Sequence, residues 1–169
     1  MERLGTKLLP AIIFSFSIAV AGCATKYQET GLTGGFTNKM IDPNTGIVII
    51  SGNGFTSEEK VRSMLMLRAS EMTVESGHQR FSLLTIEDQA ALDAQKAGKL
   101  PTYLREKAAR ENFGPKLTTA TTTVFSTYAT LPINKSGGGF FVVMYKGNEG
   151  GAYEANKLIA ELKPKLASN

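Results

Sequence analysis

The stretch from Ile47 to Ile86, IVIISGNGFTSEEKVRSMLMLRASEMTVESGHQRFSLLTI, decides the fold. A β-branched run over Ile47–Ser51 reads as a strand and stops at Gly52-Asn53-Gly54-Phe55. Thr56, with Glu59 three residues on, has the form of a capping box, and Glu58 and Glu59 suit the positive end of a helix dipole. The helix should run to about Ser76 and end at Gly77, a residue suited to the left-handed position after a helix. Val61, Leu65, Arg68 or Ala69, and Met72 recur at helical spacing, with Met64, Leu67 and Val74 widening the stripe, so this helix should pack on a sheet. Phe81–Ile86 reads as the next strand. If the two strands were parallel neighbours, the unit would be a right-handed crossover.

On the N-terminal side, Phe36–Ile41 is a second strand candidate, joined to the first by Asp42-Pro43-Asn44-Thr45-Gly46, which carries hairpin turn chemistry. On the C-terminal side, residues 87–113 are alanine-rich and charged, broken by Gly98 and Pro101, and suggest two short helices or a mobile excursion. Residues 116–131 are dense in threonine and β-branched side chains and read as a long strand. A turn over residues 134–138 leads to a returning strand, Gly139–Lys146, whose Phe140-Phe141-Val142-Val143-Met144-Tyr145 is apolar on both faces, as in a covered central strand. A last helix should span Gly151–Leu162, before Pro164. The implied class is α+β, a mixed sheet of about five strands with two or three helices packed mainly on one face.

The first residues are of a different kind. Glu2, Arg3 and Lys7 precede the apolar run Leu8–Ala21, and Val20-Ala21-Gly22-Cys23 is lipobox-like. Fourteen residues containing Pro10 fall short of the roughly 20 that cross a bilayer as a helix, so the segment reads as a signal. The pattern resembles that of bacterial lipoproteins, and that resemblance implies cleavage before Cys23 and its modification with diacylglycerol and an amide-linked acyl chain. Two or more chains hold stably where one does not. Ala24, in place of the aspartate that marks inner-membrane retention in enteric-type sorting, points to the outer membrane, facing the periplasm. The organisation expected is a signal peptide over 1–22, a tether over 23–35, a single domain over 36–163 and a tail over 164–169. A flexible coil of about twelve residues would span on the order of 20 Å.

Cys23 is the only cysteine, so its lipidation leaves no thiol for disulfides, nucleophilic catalysis or thiolate metal sites. Loss of two bases and one acid with the signal takes the net charge from +4 to +3, a mild excess. A basic cluster, Lys96, Lys99, Arg105, Lys107, Arg110 and Lys116, reads mainly as a solvated helix face, and nucleic acid is not an expected partner.

Three places could carry chemistry. Gly52, Asn53, Gly54, Thr56 and Ser57 lie between a strand and a capped helix, where backbone amides can hold a small anion, but the loop matches neither a dinucleotide fingerprint nor a P-loop and reads first as a structural turn. Arg68, in the most apolar helix, needs a partner, and Glu71 three residues on supplies one. With the loop, Arg68 completes the candidate ligand-binding set. His78, the only histidine, follows Gly77 and reads as a surface or capping residue. No catalytic set, metal site or cofactor is expected.

The residues Ser51-Gly52-Asn53-Gly54-Phe55-Thr56-Ser57, followed by Arg68-Ala69-Ser70-Glu71-Met72-Thr73, Gly77 and Phe81, resemble an uncharacterised proteobacterial lipoprotein family with a GNG(F/Y)TS turn and an RAAELT-type helix. Gly34-Gly35-Phe36 and Tyr153–Leu162 resemble its other blocks. The resemblance implies a lipid-anchored envelope protein and supplies no catalytic residues. The function expected is non-enzymatic: binding or helping to assemble another envelope protein. The alternative is a small anionic ligand or envelope-polymer binding module using the Gly52–Ser57 loop.

Overall fold

In a computed structural model, residues 24–86, 89–111, 133–134, 136–147 and 150–168 are described. The elements run β1 (Gly35–Asp42), β2 (Thr45–Ser51), α1 (Glu58–Glu75), β3 (Arg80–Thr85), α2 (Gln89–Lys96), α3 (Leu100–Glu111), β4 (Gly137–Tyr145), β5 (Tyr153–Glu154) and α4 (Ala155–Ala167). The fold is α+β, and the five strands lie in the order β1-β2-β4-β3-β5. Every neighbouring pair is antiparallel, where the sequence suggests a mixed sheet. The reason is the place of β4. Strands β2 and β3 do run in the same direction, but β4 is inserted between them and pairs antiparallel with both.

Strands β1 and β2 form the expected hairpin. Asp42 pairs with Thr45, leaving Pro43 and Asn44 at the tip, and the Asn44 amide donates to Asp42 Oδ1 at 2.7 Å. Helix α1 ends as its sequence indicates. Gly77 has φ +74°, its amide donates to the Val74 carbonyl, and the His78 amide donates to the Thr73 carbonyl, the paired bonds of a Schellman motif. The start differs: Ser57, not Thr56, is the N-cap, accepting from the Lys60 amide at 3.2 Å.

Helix α1 is buried or half-buried from Val61 to Thr73 because it is covered twice, by the sheet and by α4. Val61, Met64, Leu65, Met66, Leu67, Ala69 and Met72 are buried with Val48, Ile50, Phe81, Leu83, Phe140 and Val142 of the sheet and Leu158, Leu162 and Leu166 of α4. Val74, placed on the apolar stripe by spacing, is instead partly exposed. The two longer helices thus share one face, as expected, and the α2/α3 pair covers part of the other. Leu100, Leu104 and Ala108 of α3, four residues apart, meet Leu84, Phe141 and Val143. Pro101 sits in the first turn of α3, where its missing N–H breaks no intrahelical bond. Alternate residues of β4 feed the two cores, which explains its unbroken apolar run.

Two boundaries move outward. Pro164 does not close α4: the helix continues to Ala167, because Leu166 keeps the Leu158 and Leu162 face and is buried with it, so 164–167 is not a tail. The stretch 24–35 is not a free tether either. Thr25 is fully buried, Glu29 bridges Phe36, and Tyr27 stacks on Phe36 at 4.9 Å between centroids. The strand expected over residues 116–131 lies outside the described residues.

Tyr153 of β5 is buried against Phe81, with centroids 5.2 Å apart, and burial pushes its phenol up to about 12 from the ordinary value of 10.0. The folded protein therefore holds this proton where the unfolded chain releases it. The stabilisation is complete below pH 10 and is lost as pH rises toward 12, by roughly 2–3 kcal/mol for the full shift. Urea titrations between pH 9 and 12 should show a steeper alkaline loss in the native protein than in Tyr153→Phe. Equal slopes would show that this phenol does not contribute.

Candidate functional site

The loop between β2 and α1 spends its polar groups on itself. Gly52 donates to the Ser136 carbonyl at 3.1 Å and the Thr56 amide to the Asn53 carbonyl at 3.0 Å. Asn53 Oδ1 accepts from the Phe55 amide at 3.0 Å, the self-bonding expected of an asparagine turn, and Asn53 Nδ2 donates to the Thr33 carbonyl at 3.1 Å. Thr56 is the centre of the arrangement. Its buried Oγ1 accepts from the Thr25 amide at 2.9 Å and lies 2.8 Å from Thr25 Oγ1 and 2.9 Å from Asn53 Oδ1. This contact, made to a residue 31 positions away, takes Thr56 out of the capping role and leaves it to Ser57. Glu59, freed from a capping box, pairs with Lys165 of α4 at 2.8 Å.

Neither Gly52 nor Gly54 has positive φ. A Cβ on Gly54 would meet nothing within 4 Å. Gly54→Ala should therefore fold normally and gain up to about 0.4–1 kcal/mol by restricting the unfolded chain. Thermal melts check this, and a loss exceeding about 1 kcal/mol would show that a glycine is required there after all.

Arg68 lies elsewhere. Eleven residues along α1 from Ser57, it is about 16 Å from the loop, so the structure does not bring the candidate ligand set together. Its guanidinium is committed: Nε donates to Asn38 Oδ1 at 3.0 Å, one terminal nitrogen to Glu71 at 3.2 Å and Glu75 at 3.0 Å, the other to Glu75 at 3.0 Å. It also stands 5.2 Å from the Phe36 ring centroid. The expected pairing with Glu71 is present, and Tyr27 donates its hydroxyl to the same carboxylate. Burial would lower the Arg68 pKa, but its acidic partners, Glu75 first and Glu71 with it, hold the group above its ordinary value. Burial first, then the hydrogen bond and negative charge of Glu71, pushes the Tyr27 phenol well up. The cluster is a clasp: it fixes Tyr27, Phe36 and Asn38 to α1. Glu75, on the same helical face at i+7, is legible from spacing. Tyr27 and Asn38 have no local signal.

His78 is buried, not a surface residue. It lies beneath the β1–β2 turn, with Nε2 2.9 Å from Asn44 Oδ1, while Nδ1 has no partner among the described residues. No group of three or more His, Cys, Asp or Glu side chains among the described residues could hold a metal ion, and no described helix is long and apolar enough to cross a membrane. Cys23 lies outside the described residues. A cleft of about 330 Å³ opens beside its neighbour Ala24, lined also by Phe55, Ser57, Glu59, Lys60, Ser63, Lys165 and Leu166.

No family model, curated protein or solved structure matches this chain.

Proposed function

We propose that this chain is a lipid-anchored protein of the bacterial outer membrane, facing the periplasm, which acts without catalysis by binding another envelope protein. The lipobox ending at Cys23 supports the anchor, and the resemblance of the GNGFTS and RASEMT blocks to an uncharacterised lipoprotein family supports the same assignment. The observation that carries partner binding is the outer edge of β1. Phe36 turns its backbone N–H and C=O away from β2, to Gln28 and Thr30. By the alternation of an antiparallel ladder, Asn38 and Met40, at the same parity, also turn theirs outward. Beyond Phe36 these groups meet no described strand, and such an edge accepts an extended segment of another protein by strand addition. The alternative, anion binding by the Gly52–Ser57 loop, has less support, because the amides of Gly52, Asn53, Phe55 and Thr56 are already used within the fold.

The test is crosslinking in cells followed by recovery of the full-length lipoprotein from membranes. Met40→Pro removes an outward N–H, which an edge strand tolerates, and blocks strand addition. One envelope protein should accompany the native chain and be lost from Met40→Pro and from Cys23→Ser. A partner recovered equally with Met40→Pro would overturn edge recognition. A co-purifying small anion without a protein partner would move the assignment to the loop.

A further inference from the structure

We infer that the domain is seated directly on the bilayer surface, with Leu32 and Phe55 in the interfacial layer, rather than suspended from it. The inference rests on the reading of Cys23 as the lipidated residue and concerns the geometry that this modification imposes.

Thr25, two residues after Cys23, is locked into the fold. It is fully buried, its amide donates to Thr56 Oγ1 at 2.9 Å, and its hydroxyl donates to the Thr33 carbonyl at 2.6 Å. Two residues of extended chain reach at most about 7 Å. The head-group layer of one leaflet is itself roughly 5–8 Å deep. An acylated residue at the base of that layer therefore brings the surface around Thr25 into it. No slack remains for the domain to stand away.

The surface so placed is the one that such a position requires. The Thr33 carbonyl that accepts from Thr25 also accepts from Asn53 Nδ2, which joins the 31–34 turn to the loop before α1 at this point. Leu32 projects from the first and Phe55 from the second. They are the two most exposed large apolar residues among those described, at 109 % and 70 % of full exposure, whereas Met40, Ile49 and Val74 reach no more than 40 %. A leucine and a phenylalanine left in water beside a lipid attachment point are accounted for by insertion. Phe55 also borders the cleft that Ala24 lines together with Lys60 and with Lys165 and Glu59, which pair with each other at 2.8 Å.

This seating sets the direction of the whole domain. Helix α1 begins at the membrane end, and its 18 residues carry its far end about 27 Å away. Met40, whose sulfur lies 3.7 Å from Ser76 Oγ, is at that far end, so the open part of the β1 edge faces the aqueous space.

The experiment uses the full-length lipoprotein reconstituted into phosphatidylethanolamine–phosphatidylglycerol vesicles that contain head-group spin-labelled lipid. Leu32→Cys, Phe55→Cys and Val74→Cys are each labelled with a fluorophore, and mass spectrometry of the N-terminal peptide establishes the state of Cys23. With Cys23 acylated, quenching at positions 32 and 55 should exceed that at 74 several-fold. Amide exchange of unlabelled protein should slow over 31–34 and 54–55 on reconstitution, a readout that no fluorophore can bias. Equal quenching at all three positions, or unchanged exchange, on acylated protein would overturn the seating while leaving the anchor intact. An unmodified Cys23 would overturn the anchor and the seating together.

Discussion

Gly137→Ala is expected to destabilise the domain by roughly 3–5 kcal/mol, far more than alanine at Gly54 or Gly46. Gly137 opens β4 with φ +121°, a conformation that L-residues reach only at a strain of about 1–3 kcal/mol. Space is the larger difficulty. A Cβ there would lie 1.9 Å from the Ile50 carbonyl oxygen, 2.8 Å from its carbon and 3.0 Å from Ser51 Cα. These are backbone atoms of the paired strand, so the clash cannot be relieved by turning a side chain. Relief requires opening the Ser51–Gly137 end of the β2–β4 ladder, and with it the Gly52 amide bond to Ser136. Gly46→Ala is the informative contrast, since its Cβ would meet Met72 Sδ at 2.5 Å, the far end of a flexible side chain. Denaturant midpoints should fall steeply for Gly137→Ala and modestly for Gly46→Ala. A change under about 1 kcal/mol at Gly137 would mean that the strand entry relaxes freely.

The same locality separates what is readable in the sequence from what is not. The β1–β2 hairpin and the end of α1 are legible because Asp42-Pro43-Asn44 and Gly77 dictate their own backbone geometry within a few residues. The covered nature of β4 is legible because burial on both faces leaves an unbroken apolar run. Strand order is not, because nothing in β2 or β3 records that β4, more than 50 residues on, will come between them. The cap of α1 escapes a sequence reading for a related reason. Thr56 and Ser57 are both acceptable caps by propensity, and only Thr25 decides between them. In the candidate site, Arg68 and Glu71 can be paired from spacing. That the loop and Arg68 stand apart emerges only when the loop is placed at the first turn of the helix and the arginine three turns along it. The polar stretch 24–35 departs furthest from its composition. Its glycines and threonines look like a linker, yet Thr25 and Tyr27 carry the contacts that hold it down.

That segment is also where the second large effect should appear. Arg68→Ala is expected to destabilise the fold by about 2–4 kcal/mol, somewhat less than the roughly 3–5 kcal/mol for breaking a fully buried ion pair. The side chains of Arg68 and Glu71 are 13 % and 18 % exposed, so truncation leaves a poorly hydrated carboxylate with only the Tyr27 hydroxyl, and leaves Asn38 Oδ1 without its donor. Glu75, at 59 % exposure, can turn to water and contributes little to the loss. Lysine should not rescue, because one ammonium cannot reproduce the fork that reaches Asn38, Glu71 and Glu75 together. Glu71→Gln should recover part of the loss in the Arg68→Ala background, since a neutral amide leaves no uncompensated charge. The double-mutant cycle then gives the coupling, expected at about 1–3 kcal/mol. Because the clasp joins α1 to Tyr27, Phe36 and Asn38, exchange in Arg68→Ala should rise first over residues 27–38, which include the turn that carries Leu32. A loss spread evenly through the sheet and helices would instead make Arg68 a general contributor to the core. Selective loosening would make the clasp the element that holds residues 27–38 against the domain.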